Sequence, residues 1–287
     1  MPLGPNDLIL PHMAMVDVEP PMTFVSKSFE DRCVAAAAGG FAGIGIAHTL
    51  YYDEKAEGRT DADFRAMMRD HGVVLAEVES IGMTGPAERA AFEADVHAIL
   101  TMVDALGGEE FFVVPRDNVS VDEHVETFGW VCDQCEGRGL RVGIEFMNIP
   151  GVSGVRDLRT ARDVAERAGR PNGGVLVDTY HFSNGPNDWA DLEALPGDLV
   201  KAIQFSDGAV PPAAPTYIED TLHHRAPPGE GDFDLVRFVR TMDQIGASCA
   251  YSVEVLDADM RLLTVEELGK RLGDATRAVL AAARNES

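Results

Sequence analysis

The chain has 287 residues, of which 45% are hydrophobic, and no composition shift or linker divides it, so we expect a single domain over residues 1–287. Its 24 Lys and Arg residues stand against 48 Asp and Glu residues, which gives a formal net charge of −24. A field of this sign repels phosphate backbones and anionic membrane surfaces, so we expect neither nucleic acid nor a membrane as a partner.

The N-terminal segment MPLGPNDLILPHMAM has neither a basic region nor a long apolar stretch. Signal peptides and membrane spans need these features, so the sequence predicts a cytoplasmic protein. The cysteines agree with that prediction. Cys132 and Cys135 form a C-x-x-C pair, but they lie on a predicted helix without a second pair, so we interpret both as buried thiols.

Eight short apolar runs recur along the chain, and an amphipathic helical segment follows each of them. Regular alternation of strands and helices indicates a parallel sheet with right-handed crossovers. Eight such units close into a (β/α)8 TIM barrel, so this α/β fold is the predicted one. The runs are Leu8–Leu10, Gly43–Ile46, Val73–Leu75, Phe111–Val114, Val142–Ile144, Val175–Val177, Ala202–Phe205 and Tyr251–Val253.

Local signals mark where the helices begin and end. An open doubly wound sheet usually has a Gly-rich phosphate loop after its first strand, but the nearest match, residues 39–45, runs from helix into strand. We therefore interpret it as a helix C-cap and a tight turn. Three predicted helices begin with sequences that resemble capping boxes, namely Thr60-x-x-Asp63, Ser120-x-x-Glu123 and Thr264-x-x-Glu267.

Polar residues end the fifth to eighth predicted strands, at the end where barrels of this kind carry their active sites. They are Glu145, Asp178, Gln204 and Glu254. Three anionic groups that converge on one barrel mouth repel one another strongly unless a cation lies among them. Oxygen ligands of this kind suit Mn²⁺ or Mg²⁺, with Co²⁺ or Zn²⁺ as acceptable occupants. The alternative for each carboxylate taken alone is a solvated strand end.

The stretch VLVDTYH raises the question of how Asp178 and His181 are placed. Side chains alternate along a strand, so the two would point apart if the strand continued. They converge only if the chain turns after Asp178, and His181 then becomes a loop residue able to contact a substrate oxygen. The alternative is a core histidine whose ring contacts a backbone carbonyl.

Further candidates lie on the loops at the same end of the barrel. His12 and His48 end the first two strands and are candidate substrate contacts, with packing roles as the alternative. Arg156 follows the fifth strand and is a third candidate contact. The 207–231 connection is long and rich in proline, so we expect it to act as a lid or specificity element.

Five motifs between residues 140 and 255 occur in the order and spacing of a known family. They resemble the xylose isomerase-like TIM-barrel superfamily, and specifically its branch of inosose isomerases, ketose 3-epimerases and hydroxypyruvate isomerases. The first 130 residues match only in their general barrel pattern. The motifs are Ile144-Glu145-Phe146, Val177-Asp178-x-x-His181-Phe182, Gln204-x-x-Asp207, Arg225-Ala226-Pro227-Pro228-Gly229-Glu230-Gly231-Asp232-Phe233-Asp234 and Ser252-Val253-Glu254.

The resemblance implies roles for these residues. Many relatives have His where this chain has Gln204, whereas hydroxypyruvate isomerases and some dehydratases have Gln. The resemblance also implies that His181 and Arg225 contact substrate oxygens, although a surface salt bridge is the alternative for Arg225. By similarity to the epimerases, Glu145 and Glu254 form the acid–base pair. The set implied to bind one divalent metal ion is Glu145, Asp178, Gln204 and Glu254.

The resulting prediction is a metal-dependent isomerase or epimerase of a ketose, an inosose or a related small polyhydroxy ketone, acting through an enediolate. One alternative is a dehydratase of the keto-inositol or 3-dehydroshikimate type, which expels a β-hydroxyl on the same scaffold. A non-catalytic or partner-dependent barrel is less favoured because no ligand is missing. The DNA-repair endonuclease branch needs more His ligands and a DNA-binding face, which this composition does not support. The oligomeric state is left open, a homo-oligomer included.

Overall fold

The computed structural model describes residues 2–19, 23–85 and 88–285. Strands and helices alternate through most of these ranges. In chain order the elements are β1 (Leu8–Leu10), β2 (Val16–Glu19), β3 (Thr23–Ser26), α1 (Phe29–Gly39), β4 (Gly43–Ile46), α2 (His48–Ala56), α3 (Asp61–His71), β5 (Val74–Met83), α4 (Arg89–Leu106), β6 (Glu110–Pro115), α5 (Val121–Cys135), β7 (Arg141–Glu145), α6 (Leu158–Ala168), β8 (Gly173–Asp178), α7 (Thr179–Ser183), α8 (Trp189–Glu193), β9 (Val200–Gln204), α9 (Tyr217–His223), α10 (Leu235–Ile245), β10 (Tyr251–Ser252) and α11 (Val265–Asn285).

Eight parallel strands close into one barrel, in the order β1-β10-β9-β8-β7-β6-β5-β4. The barrel closes at β1, where Ile9 pairs with Ser252 of β10 on one side and with Gly43 of β4 on the other. Each predicted apolar run overlaps one of these strands, so the predicted (β/α)8 barrel is confirmed. The antiparallel pair β2–β3, which follows β1, was not predicted from the sequence.

The predicted helix starts are confirmed by their hydrogen bonds. Thr60 caps α3 and Ser120 caps α5, each in a complete capping box, and Thr264 makes the same two bonds with Glu267 at the start of α11. Gly40 ends α1 in the left-handed region, with a φ of 67°, as expected for a glycine C-cap. None of the helices in the described ranges combines the length and the apolar character that crossing a bilayer requires.

The alternation of side chains along the strands decides which residues face the inside of the barrel. Val175 and Val177 of β8 belong to the large apolar core that includes the surrounding helices. Leu176, between them, packs instead with Phe112 and Ala202 in a separate small cluster. Asp178 shares the side of Leu176 because it lies two residues further along the strand. The end of β8 therefore presents a carboxylate to the barrel mouth.

The C-x-x-C pair is structural. Cys132 and Cys135 are free and buried on α5, as predicted. Burial raises the pKa of each thiol to about 12. Since the thiolate is the reactive form, neither cysteine has the character of a redox or metal-binding residue.

Candidate active site

The chain turns directly after β8, and this turn brings Asp178 and His181 together. Asp178 is the N-cap of α7, and its Oδ1 accepts the backbone N–H of Tyr180 at 2.7 Å. A carboxylate at this position satisfies one of the free N–H groups at a helix start. His181 follows within the first helical turn, and its Nε2 lies 3.6 Å from Asp178 Oδ2. The convergence predicted for these two residues is therefore present in the structure.

Arg225 joins two of the strand-end carboxylates. Its Nη1 donates to Asp178 Oδ2 at 2.9 Å and lies 3.0 Å from Glu254 Oε2. Thr221 of α9 accepts from the same guanidinium through its carbonyl oxygen and its hydroxyl oxygen. Because Arg225 is only 4% exposed, this is a buried ion pair and not a surface salt bridge.

Gln204 connects to the same group and keeps one polar atom free. Its Nε2 donates to Glu254 Oε1 at 2.9 Å. Its Oε1 is buried and finds no hydrogen-bond partner within the described part of the chain. A buried acceptor without a partner costs free energy. An amide oxygen beside carboxylates is also a ligand that hard divalent cations accept, so the residues present fit a metal ion.

Glu145, Asp178 and His181 form a compact buried group that could hold a metal ion. One ligand atom from each residue lies within 4.8 Å of the other two. The Nε2 of His181 is 3.8 Å from Glu145 Oε1. Its Nδ1 is 2.9 Å from the hydroxyl of Tyr217, so the histidine ring is held from the other side by the 207–231 connection.

Burial controls the protonation of this site. It raises the pKa of Glu254 to about 7, although Arg225 acts in the opposite direction. It also raises the pKa of Glu145 well above its usual value, and the charges of Glu254 and Asp178 add to this effect. Burial lowers the pKa of His181 to about 4, so its imidazole is neutral near pH 7. Positive charge among the carboxylates favours their ionised form.

The 207–231 connection is tied to the end of the barrel at several points. Besides Tyr217, it supplies Asp220, whose Oδ2 accepts the hydroxyl of Tyr180 at 2.6 Å. Asp207, just after β9, accepts the backbone N–H of Gly229 at 2.9 Å. Tyr217 and Asp220 thus tie the connection to α7, and the bond between Asp207 and Gly229 joins its two ends to each other. Its role as a lid or specificity element stays a prediction.

Two carboxyl groups that were not predicted from the sequence lie on β5. Glu77 is fully buried, and Glu79 is 4% exposed. Glu79 Oε1 accepts the backbone N–H of Met13 at 2.8 Å. Burial raises the pKa of Glu79 to about 8, with Glu254 acting in the same direction. The signal was available in the run VLAEVES, where two glutamates at alternate positions of an apolar strand share one face.

The three other predicted substrate contacts, His12, His48 and Arg156, lie in different places in the structure. His12 lies at the end of β1, is 8% exposed and has no partner for its Nδ1 among the described residues. His48 begins α2, and its Nε2 lies 4.0 Å from Asp95 of the outer helix α4. Arg156 donates to Asp117 at 2.9 Å. His48 and Arg156 are thus placed against partly exposed acidic residues and not against the strand-end carboxylates.

Comparison with known proteins identifies relatives of this chain. It is 26% identical over 256 residues to the 3-dehydroshikimate dehydratase of Pseudomonas aeruginosa, which covers 83% of this chain and 37% of that protein. It is 28% identical over 148 residues to the inosose isomerase of Bacillus velezensis, with 52% of this chain and 51% of that protein covered. The chain therefore spans at most about half the length of either enzyme.

The fold is also that of a solved structure. The crystal structure of the IOLI protein with a bound zinc atom superposes with a TM-score of 0.82 at 18% identity, over 96% of this chain and 99% of that one. Residues 33–279 match the family model of the xylose isomerase-like TIM barrel. The resemblance predicted from the motifs is thereby confirmed, and the chain belongs to the xylose isomerase-like TIM barrel family.

Proposed function

We propose that the chain is a divalent-metal-dependent isomerase or epimerase that acts on a ketose, an inosose or a related polyhydroxy ketone through an enediolate. The observation that carries this proposal is the buried polar group at the barrel mouth. There Arg225 lies between Asp178 and Glu254, and Gln204 keeps a buried oxygen without a partner among the described residues. The similarity to an inosose isomerase supports the substrate class.

The residues that would hold the cation are Glu145, Asp178, Gln204 and Glu254. A divalent cation bound there supplies Lewis-acid stabilisation of the negative charge that develops on the carbonyl oxygen. Mn²⁺ or Mg²⁺ is the proposed ion because the donor set consists of oxygens. The zinc atom bound by the IOLI protein supports a divalent site in this fold.

Glu145 and Glu254 are the proposed proton carriers. Epimerisation needs a group on each face of the substrate carbon, one to remove the proton and one to return it. Glu145 ends β7 and Glu254 follows β10, so β8 and β9 lie between the two positions in the barrel. Gln204 and Arg225 hold the two oxygens of Glu254, which orients this carboxyl before a substrate binds. His181 and Arg225 are the proposed contacts to substrate oxygens.

A dehydratase of the keto-inositol or 3-dehydroshikimate type is the second candidate. It begins with the same proton removal next to a carbonyl group but then expels a β-hydroxyl. One observation favours it: the match to the 3-dehydroshikimate dehydratase of Pseudomonas aeruginosa covers 83% of this chain.

The test is to incubate the Mn²⁺-loaded full chain in D₂O with keto-inositols, ketoses, hydroxypyruvate and 3-dehydroshikimate and to follow the products by NMR. Deuterium next to the carbonyl in an isomeric product supports the proposal. A product that has lost a hydroxyl makes the chain a dehydratase. If no compound exchanges its proton, the proposal is rejected in favour of a non-catalytic or partner-dependent barrel.

A pair of variants links any exchange to the site. Glu145→Gln removes a proposed proton carrier and is expected to abolish exchange. Glu126→Gln makes the same chemical change at an exposed position of α5 and is expected to leave exchange unchanged. Equal exchange by both variants contradicts the proposed role of Glu145.

A further inference from the structure

Glu79 stands at the barrel mouth but outside the proposed ligand set. β4 ends at Ile46, which pairs with Val78, and β5 continues beyond this point to Met83. Glu79 is therefore located where the strands finish, which is the catalytic end of such barrels. Its carboxylate accepts the backbone N–H of Met13, in the segment that follows β1.

Electrostatic effects connect Glu79 with the proposed acid–base pair. The charge of Glu254 raises the pKa of Glu79, whereas the fully buried Arg32 acts in the opposite direction. Glu79 in turn contributes to the raised pKa of Glu145. The strand pairing agrees with this, because Met13, which donates to Glu79, follows β1, and β1 pairs with β10, the strand that leads to Glu254.

Two side chains on this side of the mouth, Glu79 and His12, can still form hydrogen bonds to a ligand. Glu79 keeps 4% of its surface exposed, whereas Glu77, two residues earlier on the same strand, has none. His12 follows β1 and directly precedes Met13; it is more than nine-tenths buried and has no partner for its Nδ1 in the described ranges. A buried ring nitrogen without a protein partner leaves one hydrogen bond for a ligand to make.

A hydroxyl group fits this environment better than the other groups of a sugar-like molecule. It donates one hydrogen bond and accepts others, so it pairs with a carboxyl group in either protonation state and with a neutral imidazole. A carboxylate can only accept, and an ionised Glu79 would repel it. The chemistry of Glu79 and His12 therefore favours a hydroxyl-rich, uncharged part of the substrate.

We propose that Glu79, with His12 beside it, binds a hydroxyl group of the substrate on the side of the mouth opposite Arg225 and thereby selects a polyhydroxy ketone over its deoxy analogue. Arg225 follows β9, which lies across the barrel from β5 in the strand order. This inference rests on the proposed function, since it specifies the substrate class of the same site.

The test is calorimetric titration of the Mn²⁺-loaded full chain with myo-inositol, an unreactive cyclic polyol, and with its monodeoxy derivatives. We expect the wild type to bind myo-inositol about tenfold more tightly than the derivative that lacks the hydroxyl facing Glu79. Glu79→Ala is expected to bind both compounds equally. Glu79→Gln is expected to keep part of the difference, because its amide still forms hydrogen bonds with a hydroxyl.

Glu77→Gln is the matched control, because it changes a buried carboxyl on the same strand that has no exposed surface. It is expected to discriminate as the wild type does. A wild type that binds all the inositols equally, or binds none, overturns the inference, as does discrimination that persists in Glu79→Ala. Deuterium exchange tests the proposed function independently of Glu79. If the wild type exchanges deuterium but one of these contradicting binding results is found, only the role of Glu79 is rejected.

Discussion

The buried carboxyl groups on the two sides of the barrel mouth are stabilised in different ways. On the side of β7–β10, Arg225 lies between Asp178 and Glu254, so positive charge compensates negative charge. On the side of β5, Glu77 and Glu79 are buried near one another, and burial raises the pKa of each above its usual value. Burial therefore favours the protonated form of both carboxyl groups on this side. We propose that the first arrangement holds a cation and that Glu79, in the second, binds a hydroxyl group of the substrate.

Replacing a proposed proton carrier on the side of β7–β10 should have the largest effect on turnover. In Glu254→Gln we expect kcat to fall by about 10²–10⁴-fold, because the amide still fits the site but cannot exchange a proton. Steady-state kinetics on the ketone that the D₂O experiment identifies, with the metal content measured in parallel, checks this. Near-wild-type turnover with bound metal contradicts the acid–base assignment.

Breaking the ion pair tests whether a cation can replace Arg225 as the compensating charge. Arg225→Met leaves Asp178 and Glu254 buried without their partner, and we expect it to cost about 3–5 kcal/mol in the free energy of unfolding. Saturating Mn²⁺ should reduce this cost, because the ion also compensates both carboxylates. Urea unfolding with and without Mn²⁺ measures the difference.

The control for this experiment is Arg271→Met, which removes a pair between Arg271 and Glu230 whose side chains are 45% and 42% exposed. Exposed pairs contribute about 0–1 kcal/mol, and Mn²⁺ should not change that contribution. If the cost of Arg225→Met is the same with and without Mn²⁺, the carboxylates around Arg225 do not hold the ion.

On the side of β5, replacing the carboxyl group of Glu77 should stabilise the protein. Burial raises the folded-state pKa of Glu77 far above its ordinary value of 4.5. The fold therefore loses stability as the pH rises above 4.5 towards the folded-state pKa, since the unfolded chain ionises freely there. We expect Glu77→Gln to raise the free energy of unfolding by about 1–3 kcal/mol at pH 8 and by less at pH 5. Urea unfolding at the two pH values checks the sign, and a destabilised variant at pH 8 contradicts it.

The smallest effects are expected at the two loop residues that the structure separates from the site. His48 faces Asp95, and Arg156 faces Asp117, so neither contacts the strand-end carboxylates. We expect His48→Asn and Arg156→Ala to change kcat/KM by less than about twofold, in line with the small contribution of partly exposed pairs. A tenfold fall for either variant would restore that residue as a substrate contact.

Much of the barrel and half of its mouth could be predicted from the sequence because the signals are local. An apolar run that ends in a carboxylate, as at Asp178 and Glu145, is visible within a few residues. Glu77 and Glu79 were not predicted, because β5 continues to Met83, past the end of its apolar run at Leu75, so its strand end is not marked by that run. Loop residues such as His48 and Arg156 could not be placed, because a loop takes its conformation from distant partners.

The sequence by itself determined the alternation of strands and helices, the capped helix starts and the acidic ends of β7, β8 and β10, since periodicity and strand ends depend on neighbouring residues. Only the tertiary structure decided which charges meet. Arg225 and Asp178 are 47 residues apart, and Gln204 and Glu254 are 50 apart. Closure of the barrel brings such residues within hydrogen-bond distance, and their burial there shifts the pKa values of the carboxyl groups, which no local signal in the sequence shows.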